Sequence, residues 1–122
     1  MNHPSILVVD DNIDNLDLTR LLLEFEGYEV WTAEDAVQAL AILRRTRPDL
    51  ILMDVQMPEI DGLELTRRLR QDEAWEDVPI IALTAYAMRG DEEKARLAGC
   101  NGYITKPIDT RTFGGLVREY LP

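Results

Sequence analysis

The chain has 122 residues, 46% hydrophobic and 30% charged, which suits one domain over residues 1–122 with one core and leaves no room for a second. Its net charge of −10 repels phosphate backbones and anionic lipid, so neither nucleic acid nor membrane is an expected partner. The longest apolar runs are strand-sized, residues 1–5 are not followed by a signal-peptide stretch, and the single cysteine, Cys100, excludes an internal disulfide, all of which fits a cytoplasmic protein.

Ser5-Ile6-Leu7-Val8-Val9 is a continuous apolar run of strand length, and it stops at Asp10-Asp11-Asn12. Such a run reads as a strand buried on both faces of a parallel sheet. Asn12 is the predicted N-cap of a helix reaching Glu26, with Leu18, Leu21, Leu22 and Phe25 on its apolar face and Gly27 as its stop. Residues 28–32 read as a second strand. Ala36, Ala39, Leu40 and Leu43 mark a second helix, ended before Pro48. Residues 49–53 form a third strand that again stops at an acid, Asp54. Residues 56–62 have turn chemistry, and a third helix covers about 63–72, carried by Leu65 and Leu69. Residues 79–83 are the fourth strand, ending at Thr84. A fourth helix runs from Arg89 to Ala98 and stops at Gly99. Residues 101–105 are a short fifth strand, ending at Lys106-Pro107. The last helix carries Phe113, Leu116, Val117, Tyr120 and Leu121 on one face, although Gly114 and Gly115 each weaken it by about 1 kcal/mol relative to Ala.

Strands alternating with helices imply right-handed crossovers and a parallel sheet covered on both faces. Ligands of such sheets bind beyond the carboxyl ends of the strands. The residues there are Asp10, Asp11, Asp54, Thr84 and Lys106. Three carboxylates in one crevice raise one another's pKa, and a hard divalent cation relieves the repulsion. Mg²⁺ prefers a few carboxylates, water and phosphate oxygens to a full protein cage. With Lys106 alongside, the site suits a phosphoryl group, and one carboxylate can act as a nucleophile to form an acyl phosphate.

The motifs Val9-Asp10-Asp11-Asn12, Leu52-Met53-Asp54-Val55-Gln56-Met57-Pro58 with Asp61-Gly62, Leu83-Thr84-Ala85 and Tyr103-Ile104-Thr105-Lys106-Pro107 together resemble the receiver domains of two-component response regulators. The resemblance runs from Ile6 to Leu121. The segment from Gly90-Asp91-Glu92-Glu93 to Gly99-Cys100 looks most like single-domain cell-cycle regulators and hybrid-kinase receivers. The resemblance implies a flavodoxin-like (βα)5 three-layer sandwich with sheet order 2-1-3-4-5. It implies Asp54 as phosphoacceptor, aided catalytically by Thr84 and Lys106. It implies Mg²⁺ held by Asp10, Asp11, Asp54 and the Gln56 carbonyl. It further implies a switch formed by Thr84 and Tyr103, and a cis Lys106–Pro107 peptide bond.

The expected function is phosphoacceptance from the phosphohistidine of a histidine kinase or histidine phosphotransfer protein. The added charge of about −1.5 to −2 would switch binding to a downstream protein target. No output domain follows Pro122, so the expected output is binding or onward relay by a monomer or weak homodimer. A phosphorylation-independent scaffold is the alternative. A turnover enzyme is not expected: an aspartyl phosphatase would want an acid at position 56, where Gln56 cannot transfer a proton. A flavin or nucleotide binder would want a Gly-rich loop after the first strand.

Taken singly, the same residues have plainer readings. Asp10, Asp11 and Asn12 suit a helix cap, Thr84 and Tyr103 suit packing, and Asp91-Glu92-Glu93 suits a solvated helix start. Gln56 and Tyr86 either tune phosphoryl lifetime or are inert rim residues. His3 has no expected role. Trp75, in a polar stretch at 72–77, either packs or meets a partner.

Overall fold

Each apolar run that stops at a polar residue becomes a strand, and each periodic stretch between two runs becomes a helix. The computed structural model describes residues 3–55, 61–84, 90–106 and 108–121. In chain order these form β1 (Ser5–Val9), α1 (Ile13–Phe25), β2 (Glu29–Ala33), α2 (Ala36–Leu43), β3 (Leu50–Asp54), α3 (Gly62–Arg70), a 3₁₀ turn (Glu73–Trp75), β4 (Ile80–Thr84), α4 (Asp91–Ala98), β5 (Gly102–Thr105) and α5 (Phe113–Tyr120). The strands pair in parallel in the order β2-β1-β3-β4-β5, the expected flavodoxin-like sheet.

Two apolar layers hold the helices to the sheet. On one face Ile6, Val8, Leu52 and Leu83 pack against Leu16 and Leu23 of α1 and Phe113 and Val117 of α5. On the other, Leu7, Ile51, Met53 and Ile80 pack against Ala39 and Leu43 of α2, Leu65 and Leu69 of α3, and Ala95 of α4. β1, β3 and β4 are buried throughout, which is why they read as unbroken apolar runs.

The structure corrects the expected face of α1. Leu16, Thr19 and Leu23 point inward, whereas Leu18, Leu21 and Phe25 are 40%, 58% and 90% exposed. Leucines occur at positions 16, 18, 21, 22 and 23, so more than one stripe satisfies the helical period, and packing on the sheet decides between them. Leu22 lies at the margin of the inner face. On α5, Phe113 and Val117 are buried while Leu116 is 38% exposed. Gly114 has a packing reason, since a Cβ there would stand 2.8 Å from Glu26 Cγ and Cδ. That close approach of α5 to α1 also lets Arg118 pair with Glu26 at 2.9 Å.

Helix ends differ slightly from expectation, with visible causes. Asp61 caps α3 by accepting from Glu64 N at 2.8 Å. Asp72 does not belong to α3; it caps the 3₁₀ turn by accepting from Ala74 N at 2.9 Å. Residues 85–89 lie outside the described set, and the described α4 starts at Asp91 after Gly90, whose φ is 95°. Among the described residues, no helix is long and apolar enough to cross a membrane.

Arg70, at the end of α3, ties several elements together. Its Nε donates to Gly99 O at 2.9 Å, one Nη to Trp75 O at 2.6 Å, and the other to Asn101 Oδ1 at 2.7 Å. Asn101 Oδ1 also accepts from Ile80 N at 2.9 Å, so one network links α3, the 3₁₀ turn, the start of β4 and the α4–β5 joint. Partial burial lowers the guanidinium pKa from its ordinary value, yet arginine stays charged at neutral pH. Cys100 sits beside this network, and burial pushes its thiol pKa up. Arg70→Met removes the charged donors and leaves their carbonyl partners half buried. It should lower the unfolding free energy by about 2–4 kcal/mol, measured by urea titration.

Candidate functional site

Register, more than any single loop, assembles the site. Val9 pairs with Met53, so the next residues, Asp10 and Asp54, stand level at the sheet edge. Asp54 pairs with Leu83, and Thr84 pairs with Thr105, which places Lys106 one residue further along the same edge. Backbone bonding continues past the strand ends. Asp10 N donates to Ala33 O at 3.0 Å, Val55 N to Leu83 O at 2.9 Å, and Lys106 N to Thr84 O at 2.7 Å. Asp54, ending the central strand, therefore extends from backbone held on both sides, whereas Lys106 follows the edge strand β5, which β4 alone holds.

Asp10, Asp11 and Asp54 each offer a carboxylate oxygen, and these oxygens lie within 4.8 Å of one another. Asp10 and Asp54 are buried and Asp11 is exposed. The Lys106 ammonium lies 3.1 Å from Asp10 Oδ2 and 3.4 Å from Asp54 Oδ1. Asp10 Oδ1 also accepts from Asn12 N at 2.9 Å. Asn12 is the N-cap, as expected, its side chain accepting from Asn15 N at 3.0 Å. The Asp10-Asp11-Asn12 run thus divides its work, with its last residue capping α1 and its acids facing the pocket.

Gly62 supplies a feature that the sequence marks only as part of a motif. Its N donates to Val55 O at 3.1 Å, and a Cβ there would overlap the Asp54 carbonyl oxygen and stand 2.8 Å from Met53 Cγ. Only a residue without a side chain lets the start of α3 sit directly on the end of β3. Thr84 is buried at the end of β4, and Tyr103 is partly buried, packed beside the α2–α3–α4 core. Gln56, Tyr86 and Pro107, and with them the metal-ligating carbonyl and the Lys106–Pro107 bond geometry, lie outside the described residues. His3 is exposed, away from the pocket.

An all-oxygen donor set of clustered carboxylates fits a hard divalent cation of the Mg²⁺ type. Asp10, Asp11 and Asp54 are the residues that would hold it. The ammonium between the two buried acids supplies the positive charge that a phosphoryl oxygen would meet.

A family model described as the response regulator receiver domain matches residues 6–118. The polar-differentiation response regulator DivK of Brucella anthropi is 46% identical over 117 residues, covering 96% of this chain and 95% of that protein. Among solved structures, the chemotaxis protein CheY4 of Vibrio cholerae superposes with a TM-score of 0.93 at 30% identity, over 98% of this chain and 100% of that one. The receiver domain of a sensor histidine kinase from Pseudomonas aeruginosa superposes with a TM-score of 0.87 at 38% identity, over 98% of each chain. That structure has a magnesium ion coordinated in its active-site cleft.

The charge balance has a measurable consequence. In metal-free buffer Lys106→Met leaves two buried carboxylates without their shared cation and should cost about 3 kcal/mol of stability. Asp54→Asn removes one of the repelling charges and should add on the order of 1 kcal/mol. Chemical denaturation of both variants beside the wild type checks the opposite signs.

Proposed function

The chain belongs to the response regulator receiver domain family, and from that premise we propose that it is a phosphoacceptor switch in a two-component or phosphorelay pathway. The observation that carries this reading is the convergence of Asp10, Asp11 and Asp54 within 4.8 Å, with Lys106 between the two buried acids. In this reading an Asp54 carboxylate oxygen attacks the phosphorus of a phosphohistidine on a histidine kinase or phosphotransfer protein. A phosphorus–oxygen bond forms, the phosphorus–nitrogen bond breaks, and the imidazole nitrogen leaves with the electron pair. A bound Mg²⁺ would neutralise charge on the phosphoryl oxygens.

The chain's own residues do the positioning. Backbone bonding on both sides of β3 keeps Asp54 from turning away, and Gly62 lets α3 close over it. Lys106, already 3.4 Å from Asp54 Oδ1, needs little movement to pair with a phosphoryl oxygen. Thr84, at the end of the adjacent strand, would donate its hydroxyl to another. The gain of negative charge at Asp54 would then favour a state in which Thr84 and Tyr103 shift and the surface near α4 and α5 changes. The product is a lasting acyl phosphate read by a protein target in the cytoplasm, and the chain acts as a signalling acceptor, not a turnover enzyme.

Incubation with acetyl phosphate and Mg²⁺, followed by intact-mass measurement, should show one phosphoryl adduct. The adduct should disappear in Asp54→Asn and with EDTA, and its formation should slow about a hundredfold in Lys106→Met. An adduct that persists in Asp54→Asn overturns the reading. Separately, Mg²⁺ titration should raise the melting temperature of the wild type in a saturable way, and Asp11→Asn should flatten that response.

A further inference from the structure

The buried residues of α3 are Gly62, Leu65, Thr66 and Leu69, and of these only Thr66 has a polar side chain. It is 0% exposed. A hydroxyl is costly there unless it is bonded, and a valine would fill the same space with apolar atoms alone. Thr66 Oγ1 lies 2.8 Å from Gly62 O, and since a carbonyl only accepts, the hydroxyl donates. Its single hydrogen is then committed, so towards Cys100 the hydroxyl accepts, with the thiol sulfur 4.0 Å away. Burial pushes the thiol pKa up, which keeps that group protonated and a donor at neutral pH.

The carbonyl that Thr66 holds belongs to the residue that touches the phosphoacceptor. Gly62 lies so close to Asp54 that a Cβ would stand 2.1 Å from the Asp54 carbonyl oxygen and 2.9 Å from its carbon. Gly62 N donates to Val55 O at 3.1 Å, and Val55 N donates to Leu83 O at 2.9 Å. The residue after Asp54 is thus clamped between β4 and the first turn of α3. A threonine hydroxyl that bonds back four residues draws that carbonyl to its own side and bends the helix. Thr66 faces the core, so the pull on the first turn is inward, onto the end of β3.

We propose that Thr66 is a positioning residue for the phosphoacceptor: its hydroxyl, acting through Gly62, sets how closely the first turn of α3 sits on Asp54. The inference rests on the phosphoacceptor reading of the chain. The bond adds little to folding, because the Gly62 carbonyl keeps its partner in the helical ladder without it. Thr66→Val exchanges the hydroxyl for a methyl beside Leu65 and Leu69, and the thiol of Cys100, a weak donor, loses one weak bond. Stability and reaction rate therefore respond differently to the same substitution.

The test follows phosphorylation by acetyl phosphate at saturating Mg²⁺ through intact mass, beside thermal unfolding of each variant in metal-free buffer. Thr66→Val should slow adduct formation by about tenfold or more, at a melting temperature equal to or above that of the wild type. Thr66→Ser keeps the hydroxyl and loses a buried methyl, so it should melt lower and yet react within about threefold of the wild type. The less stable variant is then the faster one, an order that a purely structural role of Thr66 does not produce. Thr66→Val at the wild-type rate overturns the proposal, and so does Thr66→Ser as slow as Thr66→Val. A Thr66→Val that fails to fold or melts lower also overturns it, by assigning the hydroxyl to the fold. A wild type that forms no adduct removes the phosphoacceptor reading and this inference with it. An adduct that forms equally fast in the wild type and in Thr66→Val removes this inference alone.

Discussion

Carboxylates gathered within 4.8 Å need a cation, and the fold supplies one in Lys106. Its ammonium is a compact charge with several donors, so it serves Asp10 and Asp54 together while its stem spans the distance from β5. The rest of the pocket depends on that balance. Without Lys106, Asp10 and Asp54 would be buried like charges without their shared cation, and burial of that kind is costly. With it, the acids stay close enough to bind a divalent ion and Asp54 stays beside a positive charge.

The parallel sheet makes this arrangement stiff. β1, β3 and β4 are buried on both faces, and the ladder extends past their ends through Asp10, Val55 and Lys106. Gly62 brings the first turn of α3 onto the last residue of β3. The two ends of the sheet then differ in chemistry. Acids and one lysine occupy the carboxyl ends of the strands. The other end mixes arginines at the ends of α2 and α3 with acids such as Asp49, Asp72 and Asp77, and there Arg70 and Arg47 brace the chain around Trp75.

Much of this was legible in the residues. The apolar runs of β1, β3 and β4 are continuous because both faces are covered, so they announce strands and their ends together. Gly27 and Gly99 stop helices through positive φ, as their sequence positions imply. Helix faces were legible only where one stripe was apolar, as with Leu65 and Leu69 on α3. On α1 the leucines lie all round the helix, and neither period nor composition distinguishes Leu16 and Leu23 from Leu18 and Leu21. Arg70 gave no signal either, because its partners are backbone carbonyls and Asn101, which follow no local pattern. Trp75 read as a residue of a polar stretch, and its partner Arg47 lies 28 positions earlier in the chain.

By itself the sequence determined the alternation of strands and helices and the residue types at each strand end, because apolar periodicity and abrupt polar stops are local properties. It also determined that Asp54 is preceded by a buried run. Only the tertiary structure decided that Asp10 and Asp54 share Lys106, that Gly62 meets the end of β3, and which face of α1 is inside. These are questions of distance between residues far apart in the chain. Parallel register and helix packing answer them, and neither is written in any one segment.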